Sequence, residues 1–332
     1  MKTALRATAV VASLAVVAIA AFVTWFWYAA YRDRSAPSVP TEVIVPRGAA
    51  FSEVARQLGR AGVIDDVTTF RILARLRHQE TEVRAGEYRF AAHQTQSDVL
   101  RALIGGGAQV AAWVTIPEGF TADQIARRLG EDGVGDAGAY ARAFARDSIV
   151  VDGTRTRGLE GFLFPSTYLV SLGASPAQVE AQMTQEFFRE LPAGAPALAR
   201  AQHVSVVGAV TVASLVEREA KAAADRPQIA GVIYNRLRLG MPLEVDATIE
   251  YALPSHKSEL SYADLRIASP YNTYLHAGLP PTPIANPGRP SLEAALRPSK
   301  NSYLYYVYCG HGRHVFASTL AQHNANVARC LQ

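Results

Sequence analysis

The chain has 332 residues, with 33 lysines and arginines against 29 aspartates and glutamates, a net charge of +4 and a pI near 9.1. The excess sits at one end: Lys2, Arg6, Arg32 and Arg34 fall within the first 35 residues against the single acid Asp33. The remainder is close to neutral and has no basic tail or aromatic-interleaved basic patch, which argues against a nucleic-acid partner. The two cysteines, Cys309 and Cys330, lack zinc-type spacing and partners, so no metal is expected. They are compatible with one bridge in an oxidising compartment, their pairing left open.

Residues 7 to 31 carry no charge and are long enough to cross a bilayer. Trp25, Trp27, Tyr28 and Tyr31 gather at the far end, as in an interfacial aromatic belt. The expectation is a cytoplasmic tail (1–8), a single uncleaved membrane anchor (9–31) and a proline-bearing extended linker (32–40), with the rest of the chain outside the cytoplasmic membrane. Arg32 and Arg34 on the outer side weaken the orientation argument. The competing reading is a cleaved signal peptide, with Ala18-Ile19-Ala20 as the cleavage site. Cutting there would leave an aromatic, apolar N-terminus.

An internal repeat follows. Pro46 to Val63 aligns with Pro117 to Val134 at a constant offset of 71, with eight of eighteen positions identical, including Pro46/Pro117, Gly48/Gly119 and Gly62/Gly133. Each copy reads as a β-branched strand, a Pro-x-Gly turn and an amphipathic helix stopped near a glycine. The first copy continues with a helical stretch from Thr69 to Arg77, a strand at Gly86–Phe90 and a helix near Ser97 to Leu103. That makes a small α/β module over 41–108, either a spacer or a binding module.

From residue 112 to 332 the reading is a larger domain of mixed α and β, and the whole is an α+β protein. Ser175-Pro176 opens a helix running to Leu191, with Ser as N-cap and Pro in the first turn. The apolar run from Val204 forms the next helix, and Asp225-Arg226-Pro227 opens another through Leu237 with helical apolar spacing. Gly240 to Tyr251 reads as a turn leading into a strand or short helix. Ser269 to Gly288 is too rich in proline for regular structure, and its Tyr, Asn and Thr suit a sugar. Tyr303 to Tyr308 has strand composition and pairs with His314 to Phe316 as a hairpin. His311, His314 and His323 form a loose group, read as surface or substrate contacts rather than ligands.

Glu217 ends the apolar helix, and burial there disfavours its charged form, which is how a general acid is made. Helical geometry puts Glu219 roughly 200° away from it. Glu219 and Arg218 therefore read as a solvated face, and Glu217 as the directed carboxylate. The alternative is an ordinary i,i+4 ion pair between Glu217 and Lys221.

Taken in order, Glu160-Gly161 through Phe164-Pro165 and Tyr168, Ala213 to Ala220, Tyr234 to Leu237, Leu243 to Thr248, Tyr271 to Tyr274, Gly278 to Pro281, Ile284 to Gly288, and His314-Val315-Phe316 with His323-Asn324 resemble the YceG-like family of endolytic murein transglycosylases. Two departures are Glu244, where an uncharged residue is expected, and Ala247, where proline is frequent. The resemblance implies that the 41–108 module is LysM-like and binds peptidoglycan. It also implies that the first glutamate of the Val-Glu-x-Glu motif, Glu217, is the catalytic acid, cleaving the β-1,4 bond between N-acetylmuramic acid and N-acetylglucosamine without water. Protonated Glu217 would donate to the leaving oxygen and then accept the proton of the muramyl C6 hydroxyl, so one residue serves as acid and base.

Asp246 and Glu250 stand as electrostatic aids and Asn235, Tyr271 and Asn272 as sugar contacts, each with a structural alternative. The expected partners are glycan strands, peptidoglycan synthases in the membrane and the bilayer itself, with no cofactor. A hydrolytic muramidase and a non-enzymatic wall-binding scaffold are the competing readings.

Overall fold

The structure, a computed structural model, describes residues 2–32, 37–253, 255, 257, 260–310 and 312–330. It divides into two compact units, one taking in the chain up to Trp113 with Leu169–Gly173, the other Val114–Tyr168 with Ala174–Gln332. Within the expected linker, residues 33–36 lie outside the described residues, as does His311.

The first unit opens with a long helix, α1 (Lys2–Tyr31). There follow β1 (Thr41–Val45), α2 (Phe51–Arg60), α3 (Val67–Leu76), β2 (Gly86–Phe90), α4 (Gln96–Gly105) and β3 (Gln109–Thr115). Val10–Tyr31 of α1 is long and apolar enough to cross a membrane. The capping residues explain where the short helices start. Asp66 accepts the Thr68 N–H at 2.7 Å to open α3, and Thr95 and Asp98 form a reciprocal capping box at α4. β1 and β2 pair antiparallel from Thr41 opposite Phe90 to Val45 opposite Gly86. Alternate residues Val43, Val45, Tyr88 and Phe90 point into one core with Leu58, Phe70, Leu73 and Leu100. The sheet order is β1-β2-β3-β6, where β6 is Thr167–Ser171. β3 runs through residues 109–111, between the two domains expected from sequence.

The repeat is structural. α2 and α5 (Ala122–Glu131) occupy the same positions at the offset of 71. Their preceding turns use Gly48 at φ 71° and Gly119 at φ 80°, in the left-handed region that favours glycine. The correspondence continues past the repeated sequence, because Asp136 caps α6 (Ala137–Arg146) as Asp66 caps α3.

The second unit continues with a two-residue hairpin, β4 (Val150–Val151) and β5 (Thr154–Arg155), then α7 (Pro176–Glu190), α8 (Ala195–Ala201), α9 (Val206–Glu219) and α10 (Arg226–Arg238). After these come α11 (Asp246–Ala252), α12 (Arg289–Leu296), the antiparallel hairpin β7 (Tyr305–Tyr308) and β8 (His314–Ala317), and α13 (Leu320–Cys330). The stretch left open between strand and helix at 240–251 forms α11. Helix α9, opened by Ser205 accepting the Gly208 N–H at 3.1 Å, is the centre of this unit. Val206 and every residue from Ala209 to Val216 are buried, under α8, α10, α11 and α12.

The irregular 269–288 segment is held by its side chains. Asn286, wholly buried, accepts the N–H groups of Gly161 and Leu163 and donates to Phe120 O and to Glu160 Oε1, each at 2.9 Å. Glu160 also accepts from Ala122 N–H at 3.1 Å and Tyr251 OH at 3.3 Å. Burial nevertheless pushes its carboxyl up to about 8, against the pull of these donors. A Cys309–Cys330 disulfide, 21 residues apart in sequence, ties the end of α13 back to the hairpin.

Two outcomes follow. Because Glu160 binds its proton more tightly folded than unfolded, its contribution to stability is full below about pH 4.5 and is lost as pH rises through about 8. Denaturation midpoints should therefore fall across that window in the wild type, and Glu160→Gln should flatten the fall. Replacing both cysteines by serine should cost about 3 kcal/mol through the freed loop, read by denaturant unfolding. An unchanged midpoint would show that α13 holds without its covalent tie.

Candidate active site

The end of α9 sends two carboxylates to opposite sides, as the helical period requires. Glu217 points into a polar cluster, where its side chain is 6% exposed. Oε1 lies 3.4 Å from Arg226 Nη2, and Oε2 accepts the Gly288 N–H at 3.0 Å. Arg226 donates in turn to Ser291 Oγ at 3.0 Å. Glu118, from the second Pro-x-Gly turn, completes the cluster. A Cβ on Gly288 would fall 1.9 Å from Glu118 Oε1, so any larger residue there would displace the Glu118 side chain. Burial and the neighbouring Glu217 charge raise the Glu118 carboxyl above its ordinary value, with Arg226 acting the other way.

Glu219, read from sequence as solvated, lies at a cleft instead. It lines a cavity of about 750 Å³ together with Lys221, Asp246, Glu250, Tyr274 and Tyr306. Tyr306 OH donates to Glu219 Oε2 at 3.0 Å. Burial pushes the Glu219 carboxyl up to about 7; the charges of Asp246 and Glu250 add to this, while the Tyr306 hydrogen bond and Lys221 oppose it. A second cavity of about 800 Å³ is lined by Phe120, Thr121, Gln124, Arg127, Glu160 and Tyr251 among others. Arg218, Ala247 and Glu250 line both, so the cavities adjoin, and the Arg218–Glu250 ion pair at 2.9 Å stands at their boundary.

The expected site residues separate into two groups. Asp246 and Glu250 are in the cleft, with Asp246 Oδ1 accepting from Tyr274 OH at 2.5 Å. Glu217 lines neither cavity. Its partner is Arg226, not Lys221, so the i,i+4 alternative is not what forms either. Asn235 is buried and donates to Asn301 O and Oδ1 at 3.1 Å and Tyr303 O at 2.8 Å; its amide is spent anchoring the segment before β7. Asn272, wholly buried, donates to Leu265 O and Ile267 O and accepts from Tyr274 N–H, shaping its own loop. Tyr271 packs its ring 4.9 Å from that of Tyr251 and pairs its hydroxyl with Thr282 Oγ1 at 2.8 Å. In the structure all three are engaged within the protein, Asn235 and Asn272 as donors to backbone carbonyls and Tyr271 on Thr282.

Glu244, the first departure from the family pattern, pairs with the buried Arg236 at 2.8 Å and holds the positive φ of 54°. Arg236 donates further to Leu304 O, Pro242 O and Leu243 O, and stacks 5.0 Å from the Tyr305 ring. Of the C-terminal histidines, His314 lines the cleft with Nδ1 2.9 Å from Asp225 Oδ2. His323 lines it stacked on Tyr305, its basicity lowered by burial and by Arg236. Sequence reasoning did not place Glu219, Tyr306, Tyr274 and Arg218 at the cleft they line. The available signal was that α9 is apolar on all sides, so that neither face at its end is assured of water.

This geometry can be set beside known proteins. Residues 43–329 match the YceG-like family. The endolytic murein transglycosylase of Bacillus subtilis strain 168 is 32% identical over 303 residues, covering 84% of this chain and 82% of the relative. That of Streptococcus pneumoniae serotype 2 (strain D39) is 30% identical over 317 residues, covering 86% of this chain but 57% of the longer relative. The 2.6 Å crystal structure of a YceG-like protein from Listeria monocytogenes superposes with a TM-score of 0.63 at 31% identity, covering 86% of this chain and 98% of that one. A family match across nearly the whole chain, with relatives at this identity and coverage, makes the chain a member of the YceG-like family.

Proposed function

We propose that this chain is a peptidoglycan lytic transglycosylase that cleaves endolytically, cutting the MurNAc-β-1,4-GlcNAc bond within nascent strands, and that Glu219 is its acid and base. The observation that carries the assignment is a carboxyl held up to about 7 in an open cleft of tyrosines and acids, at the end of the helix that bears the family's motif. The activity in the relatives' names supplies the reaction class. Glu217 takes the supporting part, fixing Arg226 and the Gly288 backbone.

In the proposed reaction protonated Glu219 gives its proton to the glycosidic oxygen as the bond to C1 breaks. The carboxylate then takes the proton of the muramyl C6 hydroxyl as that oxygen closes on C1, giving a 1,6-anhydro end and no net uptake of water. Tyr306 OH stabilises the carboxylate between the two steps. Asp246 and Glu250 place negative charge near the oxocarbenium-like transition state. A single acid/base is enough because the nucleophile belongs to the substrate, unlike in the two-carboxylate glycosidases.

The proposal extends to place. α1 is read as a single membrane span with the N-terminus in the cytoplasm, the 41–108 module as LysM-like and peptidoglycan-binding, and peptidoglycan synthases as neighbours in the membrane. A muramidase would use the same cleft with water as nucleophile.

Mass spectrometry of sacculus digests separates these readings. The wild type should yield 1,6-anhydromuramyl ends, and reducing ends one water heavier would indicate hydrolysis instead. Glu219→Gln should lose on the order of 10²–10⁴-fold in rate. Glu217→Gln keeps an oxygen for Gly288 and should lower the denaturation midpoint while products still form. The reverse pattern, with Glu219→Gln active and Glu217→Gln folded but dead, would return the role to Glu217. Turnover should also decline as pH rises through about 7, where Glu219 loses its proton; a rate flat from pH 6 to 9 would remove Glu219 as the acid.

A further inference from the structure

The last two turns of α1 are part of the module that follows them. Ala30 is completely buried in the module's core, and Phe26 and Tyr31 pack against it. Arg77, the residue that ends α3, donates to Tyr31 OH and to Ser97 Oγ, each at 3.1 Å, and its guanidinium lies 5.4 Å from the Tyr31 ring. α1 touches both α3 and α4. The module is thus clamped to the helix, with contact beginning at Phe26, one residue beyond Trp25.

This clamp sets a depth. If the apolar span of α1 crosses the bilayer, its aromatic residues Trp25, Trp27 and Tyr28 lie in the headgroup layer, and the end of α3 touching Tyr31 lies beside them. The surface there is suited to that layer. Arg71 and Arg75 are exposed one helical turn apart, and Leu76 is 65% exposed at the helix end. Glu80 offsets part of the charge, lying 3.5 Å from Arg75, whose side chain stays 71% exposed. Guanidinium groups beside an exposed leucine, held next to a transmembrane helix, match phosphate oxygens above acyl chains.

We propose that the C-terminal end of α3, through Arg71, Arg75 and Leu76, beds into the anionic phospholipid headgroups around α1, so that the module is a membrane-surface element and not one swinging on a linker. The proposal rests on the membrane-spanning reading of α1 given above. The test uses the full chain, its disulfide intact, in nanodiscs of phosphatidylcholine with or without phosphatidylglycerol. A fluorophore is placed on Leu76→Cys or, as a reference, on Arg60→Cys of α2. Headgroup-spin-labelled lipid should quench the position-76 probe at least twofold more than the position-60 probe. Phosphatidylglycerol should widen the difference, and Arg71→Ala with Arg75→Ala should cancel that widening. Equal quenching at the two positions in chains that resist alkaline carbonate extraction would overturn the headgroup contact while leaving the anchor in place. Extraction of the chain by carbonate would overturn both.

Discussion

An apolar helix buried on every side must still end, and the second unit is organised around how α9 ends. Its last turn carries Glu217, nearly enclosed, and Arg218 and Glu219, which line cavities. Each charge therefore needs its own partner: Arg226 and the Gly288 N–H for Glu217, Glu250 for Arg218, and Tyr306 for Glu219. These three answers differ in kind. A cation and a backbone N–H meet Glu217, whereas burial, with the charges of Asp246 and Glu250 added to it, inclines the Glu219 carboxyl to keep its proton against the pull of Tyr306. The same helix end thus places two carboxylates in unlike surroundings two residues apart.

The surrounding elements serve this arrangement. Asn286 gathers the Gly161 loop, the Phe120 backbone and Glu160 into one network, which holds the proline-rich segment that delivers Gly288 to Glu217. Arg236 does the same for the opposite wall, tying the end of α10 to the segments around Leu243 and Leu304 so that the β7–β8 hairpin can present Tyr306. Both Asn286 and Arg236 bond chiefly to backbone. Their value is in fixing backbone that has no helix or sheet to hold it.

How much of this was readable in advance depended on the kind of signal. The strand at Gly86–Phe90, the helix opened by Ser175-Pro176 and the β7–β8 hairpin announce themselves through alternation, caps and β-branched or aromatic runs. α8, α12 and α13 are short, and their apolar residues are mostly alanine and leucine in mixed surroundings, so tertiary packing decides them. For the site, the helical period gave the angle between Glu217 and Glu219 correctly but carried no information on which direction held the cleft. That depended on the Gly288 loop and the β7–β8 hairpin, about 70 and 90 residues further along the chain. Asn235 and Asn272 meet a related limit: a buried amide and a sugar-binding amide look alike in sequence, and the carbonyls around them enter only with the fold.

The duplicated strand, turn and helix acquires a different meaning in this light. Its two copies share helix boundaries and left-handed glycines, yet their helix starts are not equivalent. Ala50 leaves the first helix without a side-chain cap, whereas Thr121 and Gln124 cap the second reciprocally and Glu160 accepts from its first N–H. One backbone design is therefore used twice under unequal constraint. In the first copy the helix starts on Ala50 without a side-chain cap. In the second, the turn residue Glu118 abuts Gly288 and the helix lines the cavity of about 800 Å³ that adjoins the cleft, so a change in that loop's length would shift the surroundings of Glu217 as well.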